Sequence, residues 1–206
     1  MTNSIEKFWN WFEEHNKSYL SLDEINEAVK EQLLNELQDH LHEYCDRLYF
    51  QVGGMPGQEQ ELIITAEGNT DFFEQVEALV NNAPAIDDWT FVAFIQPRDD
   101  LVTTNFEDVE LKPAEIWFLP LQSASKPHSI GIKVCTPNYD IIKESKWFKS
   151  AIYKMLDAVL GEKSFALDID HIDFGKLPGN PEEQGMIELA ELPAFVKWKK
   201  TKQAIS

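Results

Sequence analysis

Cysteine is nearly missing from this chain: two in 206 residues, Cys45 and Cys135, far apart and without C-x-x-C spacing. That is too few for a disulfide framework and leaves at most a single Cys45–Cys135 bridge open. Both are read as reduced, buried thiols of a cytoplasmic protein. No apolar run approaches the ~20 residues that a membrane-spanning helix requires. The N-terminus, MTNSIEKFWNWFEEH, has Glu6, Glu13 and Glu14 where a secretory signal would carry a basic region and an apolar run. Cations are scarce as well, with 18 Lys+Arg against 36 Asp+Glu and a formal net charge of −18. The deficit is concentrated in residues 1–100, which hold 5 basic and 21 acidic side chains. Such a field repels nucleic acid and anionic membranes and attracts basic proteins. The exception lies near the C-terminus, where Lys197, Lys199, Lys200 and Lys202 surround Trp198.

Motifs of catalysis are missing too. Neither GGMPG (53–57) nor PHSIG (127–131) is followed by Lys-Ser/Thr at a helix start, as a phosphate loop would be. There is no G-x-S-x-G, no H-E-x-x-H and no dinucleotide fingerprint. The sequence therefore assigns no catalytic, cofactor-binding or metal-ligating residue and leans away from an enzyme.

What is present suffices for a core, with 43% apolar and 12% aromatic residues. Residues 4–15 predict an amphipathic helix with Ile5, Phe8, Trp9 and Phe12 on its apolar face. Its polar face is acidic, unlike that of a membrane-surface helix. Residues 22–43 predict a second helix, entered through a capping box of Ser21 and Glu24. Ile25, Val29, Leu33, Leu37 and Leu41 run down one face. Glu27, Glu31, Glu36, Asp39 and Glu43 occupy the other. Residues 47–52, 62–66 and 89–95 read as strands, with a helix from about Asp71 to Val80 before the last. Residues 98–113 have no strong period and read as a connector. Further strands are expected at 115–121, with Pro120 marking an edge or an end, and at 129–135. Trp147 to Leu160 then form a helix stopped by Gly161. Phe165, Leu167 and Ile169 alternate with Ala166, Asp168 and Asp170, which predicts a strand, with a change of polarity near His171. A terminal helix starts near Pro193.

These elements predict an α+β fold in a single domain, 1–206. Residues 1–46 form an N-terminal helical segment and 179–206 a C-terminal loop and helix. Between them, 47–97 and 114–178 share one layout, strand, hairpin, strand, helix, strand. Two such ββαβ-like units would form a mostly antiparallel sheet of about six strands with helices on one face.

The segments ELIITAEGNTDFFEQVEALVNNAPAIDDWTFVAF (61–94), LDAVLGE (156–162) and IDHIDFGKLP (169–178) resemble a family of uncharacterised bacterial cytoplasmic proteins. The resemblance implies a compact intracellular α+β domain. It carries no activity and no site residues.

Candidate sites are few. His40, His42 and Cys45 form an H-x-H-x-x-C string, but the two imidazoles point about 200° apart on a helix and share no metal. Asp168 and Asp170 on one strand face would lie roughly 7 Å apart, close enough to hold a cation or divide acid and base roles. Glu67, at a strand end before a helix, could line a cleft. The acidic face of the second helix, with Glu27, Glu31 and Asp39, is the candidate surface for a basic protein. The favoured expectation is a non-enzymatic cytoplasmic binding protein, inhibitor- or immunity-like, engaging a basic protein through its acidic N-terminal half. It would bind no nucleic acid and no membrane, and would be a monomer or, through its aromatics, a homodimer. The alternative is a small-ligand-binding protein or hydrolase-type enzyme with a cleft between the two ββαβ units.

Overall fold

The structure, a computed structural model, describes residues 2–54, 58–98, 102–126 and 128–203. Residues 55–57 of the expected hairpin loop, 99–101 of the expected connector and Pro127 of the expected turn lie outside that set. The chain is α+β and divides into two compact units, 1–95 and 96–206.

The first unit begins with α1 (Thr2–His15), a 3-10 turn (Asn16–Tyr19) and α2 (Glu27–Tyr44). Strands β1 (Tyr49–Gly53) and β2 (Gln60–Thr65) pair antiparallel. Helix α3 (Phe73–Asn81) then carries the chain back to β3 (Trp89–Ala93), which pairs parallel to β2. A parallel partner cannot be reached by a tight turn, so a long crossover is obligatory, and α3 supplies it. The sheet order is β1-β2-β3. On the face of Phe91 and Trp89, α1 lays its aromatic stripe. Trp9 meets Phe91 at 4.6 Å between ring centroids, and Phe12 meets Trp89 at 5.1 Å. The Trp9 indole N–H donates to the Leu79 carbonyl of α3 at 2.9 Å, tying the two helices over the same face. Phe8, Trp9 and Phe12 are all buried. Each such side chain contributes about 1.5–3 kcal/mol by leaving water.

Helix α2 starts five residues later than the Ser21–Glu24 box predicts. Asn26 is the cap, with extended backbone and a side-chain oxygen accepting from the Val29 N–H at 3.0 Å. Ser21 instead closes a turn, its carbonyl accepting from the Glu24 N–H. Residues 20–25 must reverse the chain while Leu22 stays buried beside Tyr19, and that requirement moves the helix start to the next competent cap.

In the second unit, the stretch expected to be a structureless connector contains a hairpin, β4 (Thr104–Phe106) and β5 (Val109–Leu111). Its Val109 and Leu111 are buried, and Phe106 packs edge-on to Trp147. Strand β6 (Trp117–Leu121) pairs antiparallel with β7 (Gly131–Thr136). Helices α4 (Tyr139–Ile142), α5 (Phe148–Leu160) and α6 (Glu162–Asp168) lead to β8 (His171–Lys176), parallel to β7. The short β9 (Ile187–Glu188) and α7 (Leu192–Gln203) complete the unit, in the sheet order β8-β7-β6-β9. Strand β9 pairs only with Trp117 and Phe118, so Pro120 lies where one side of β6 is open and its missing N–H leaves no gap in that pairing. The core gathers α5 (Ala151, Ile152, Leu156) under Ile132, Val134 and Phe118.

Two expectations are corrected here. The described strands fall into sheets of three, two and four, not into one of about six. The pairs β1–β2 and β6–β7 each take a parallel strand from their own crossover, β9 fills a further edge, and β4–β5 stands as a hairpin by itself. Residues 165–169 are not a strand either: 162–168 are helical. Gly161, at φ 76° and ψ 146°, ends α5 and admits a second helix at once, a backbone state open to few residues besides glycine. The alternation of Phe165, Leu167 and Ile169 covers too few residues to distinguish the two periods. The polarity change near His171 is the passage from helix to strand.

Replacing Asn26 by Ala should cost about 1 kcal/mol, while Ser21→Ala should stay within about 0.5 kcal/mol. Urea unfolding of both variants checks this, and the ranking would be reversed if Ser21 were the cap.

Candidate functional site

Only the C-terminal half of α2 is anchored: Leu37 and Leu41 are fully buried, whereas Val29 is 42% exposed. The side of α2 away from these leucines presents its acids to water. Glu27, Glu31 and Asp39 are exposed and have no ion-pair partner among the described residues. Glu31 and Asp39, with Glu36 and His40, line a shallow surface hollow of about 600 Å³. Glu43, on the same helix, is engaged: the Lys7 ammonium lies 2.6 Å away and holds its carboxyl below the usual range. Three of the five residues expected from sequence thus lie exposed on one helix, and the lysines of α1 and α2, Lys7 and Lys30, are paired with Glu43 and Asp23.

A deeper cleft of about 420 Å³ lies beside β1. One wall is the strand itself, with Phe50 and Val52. Another is α2, with Lys30, Leu34 and Gln38, and the turn 19–24 closes the end. Four of its polar side chains are engaged. The Gln38 amide donates to the Leu48 carbonyl at 3.0 Å, and the Lys30 ammonium pairs with Asp23 at 3.0 Å. Tyr19 is 1% exposed, and its hydroxyl donates to the Leu33 carbonyl at 3.1 Å. Burial, helped by the charge of Glu36, raises its phenol pKa. Gly54 leaves room for the Gln60 amide, which a Cβ would meet at 2.6 Å. Glu67, at φ 50°, also lines this cleft. Of this lining only Glu67 is suggested by the sequence, because the cleft is assembled from five separated parts of the chain, 19–24, 30–38, 49–54, Gln60 and Glu67. The paired glycines 53–54 after an uncharged strand were the available signal.

Asp168 and Asp170 do not share a strand face. Asp168 ends α6, with its side chain 13% exposed; one oxygen accepts from Lys200 Nζ at 2.7 Å and the other from Ser164 Oγ at 2.8 Å. Asp170 precedes β8, and its carboxylate accepts from the Ile130 N–H at 2.7 Å while its own N–H donates to the Ile130 carbonyl at 2.9 Å. It closes the end of the β7–β8 pair. The expected carboxylate pair is absent because Asp168 lies on a helix and each aspartate is engaged by different donors. Asp168 does border a groove of about 580 Å³ within the second unit, beside Lys197 and over Val159 and Val196.

The H-x-H-x-x-C string is dispersed as its spacing predicts. His40 stacks on Trp11 at 4.0 Å, and His42 turns toward Tyr49 at 6.0 Å. Among the described residues no three His, Cys, Asp or Glu are placed to hold a metal ion. Cys135 is buried and Cys45 half-buried, both as free thiols; burial pushes the Cys135 pKa up. Among the described residues no helix is long and apolar enough to cross a membrane.

The raised pKa of Tyr19 fixes a pH dependence. The unfolded phenol ionises near pH 10, and the folded one holds its proton to higher pH. Its contribution to stability is complete below about pH 10 and is lost as the pH rises from there. Denaturation midpoints measured between about pH 9 and 11 should therefore fall, and fall less steeply in Tyr19→Phe. That variant should start about 1 kcal/mol lower for want of the Leu33 hydrogen bond.

No family model, curated protein or solved structure matches this chain, and what it does has to be read from its own residues.

Proposed function

We propose that this chain is a non-enzymatic protein of the bacterial cytoplasm that binds a basic protein through its acidic N-terminal half, in the manner of inhibitor and immunity proteins. The observation that carries the reading is the outer face of α2, where Glu27, Glu31 and Asp39 are exposed and unpaired among the described residues. Acids without partners on one side of a helix cost some helix stability, since like charges four residues apart repel. A complementary surface would remove that cost. The excess of acid in residues 1–100 would steer a basic partner inward and quicken its association, an effect that salt suppresses. The two units, each with an antiparallel strand pair, a helical crossover and a parallel third strand, are read as ββαβ-type scaffolds for this surface. The alternative of a ligand-binding protein or hydrolase is weaker, because Asp168 and Asp170, its intended pair, are held by separate donors.

The test is capture of partners from a lysate of the source cell by the tagged protein and by a Glu27→Lys, Glu31→Lys, Asp39→Lys triple variant. The expected result is a basic protein retained at low salt, released at high salt and lost from the triple variant. Association with the isolated partner should slow by about tenfold or more in that variant at low salt. Retention that is indifferent to both salt and the substitutions would refute the reading.

A further inference from the structure

We infer that the cleft beside β1 receives an extended basic peptide segment that pairs with the β1 main chain as a fourth strand of the first unit's sheet. This rests on the proposal above and specifies how the partner is held.

The first observation is the edge. In the order β1-β2-β3, one side of β1 bonds to β2 and the other has no strand beside it. Among the described residues, 49–54 make no backbone hydrogen bond outside the β1–β2 ladder. Proteins blunt such edges with charges, prolines or bulges. Strand β1 reads YFQVG, with no charge and no proline, and its register runs from Tyr49↔Thr65 to Gly53↔Glu61 without a skipped residue. In the second unit the edge strand β8 carries His171, Asp173 and Lys176, and the other edge, β9, is two residues long. The β1 edge has neither protection.

The second observation is the cleft that borders this edge, with α2 as its far wall. A strand beside a helix, with a groove between them, is the geometry in which an extended peptide adds to a sheet: main-chain bonds hold it and alternate side chains are read by the walls. Every second side chain of an added strand would meet Leu34, Phe50 and Val52, and the others would lie beside exposed Tyr49 and Gln51. Five residues of β1 span about 16 Å, which a hexapeptide covers.

The third observation is charge. Asp23, Glu24 and Glu67 border the cleft, and Lys30, its one cation among the described residues, is already paired with Asp23. This favours a basic segment. It also disfavours a second copy of the chain, since β1-to-β1 pairing would bring two such acidic rims together.

The test uses the full chain and the peptide Ac-Lys-Val-Lys-Val-Lys-Val-NH2. Its controls are an otherwise identical peptide with Glu for Lys, and a version N-methylated throughout, which keeps the charges and removes every main-chain donor. Amide hydrogen exchange follows residues 49–54. The inference expects the basic peptide to bind and to slow exchange along β1. The acidic peptide should not bind, and N-methylation should weaken binding by about tenfold or more. Gln51→Lys, at an exposed site, should weaken binding several-fold with the fold intact. The triple charge-reversal variant of α2 should bind more weakly yet still show protection at β1. Binding that is salt-sensitive but leaves β1 exchange unchanged, or that tolerates N-methylation, overturns strand addition and leaves the acidic-face proposal standing. No binding at about millimolar peptide overturns it as well, as does a β1-paired homodimer in sedimentation.

Discussion

A parallel strand pair imposes a long return journey on the chain, and each of the two units is organised around one. Between β2 and β3, and between β7 and β8, the chain must leave one end of the sheet and come back to the other, and helix is the economical way to do so. The crossover helix then has to bury an apolar stripe, which fixes the face it covers. In the first unit Phe73, Val76 and Leu79 of α3 meet that need. In the second, α5 does so with a longer stripe running from Phe148 to Leu160. Once the third strand is parallel, β1 in the first unit and β6 in the second are left toward an edge. In the second unit β9 partly covers it; in the first, nothing in the described strands does.

The aromatic residues and the acidic residues of the first unit divide the labour. Phe8, Trp9 and Phe12 close α1 over the sheet, and the Trp9–Leu79 hydrogen bond joins it to the crossover helix. With α1 supplying that apolar cover, α2 need commit only its last turns to the core. Its outer side is free to carry acids, and its Lys30, Leu34 and Gln38 border a cleft that runs along β1. Thus the packing of α1 permits both the charged surface and the open edge, although α1 lines neither the hollow on α2 nor the cleft beside β1.

Much of this was legible in the sequence where a period was long or a stop was unambiguous. The stripes of α1 and α5 extend over three or more turns, and Gly161 has the backbone freedom its position suggested. The failures share a cause in shortness or competition. Residues 162–168 satisfy both the alternating and the helical pattern, and the Ser164–Asp168 hydrogen bond one turn apart belongs to the helix. Strands β4 and β5 have three residues each, too few to display alternation. Ser21 and Asn26 are both able caps, and only the burial of Leu22 and Tyr19 decides between them. For the sites, the exposure of Glu27, Glu31 and Asp39 follows from a polar helix face and was readable. The fate of Asp168 and Asp170 depended on the helix-or-strand question and went with it. The cleft beside β1 joins residues 19–24, 30–38 and 49–54 with Gln60 and Glu67, a convergence that no local pattern announces.

The most direct measurement is a backbone amide chemical-shift map of the chain with and without a basic protein captured in the pull-down proposed above. The account predicts perturbations along α2 around Glu27, Glu31 and Asp39, and along β1 from Tyr49 to Gly53. Perturbations confined to the second unit, around Lys197 and Lys200, would contradict it.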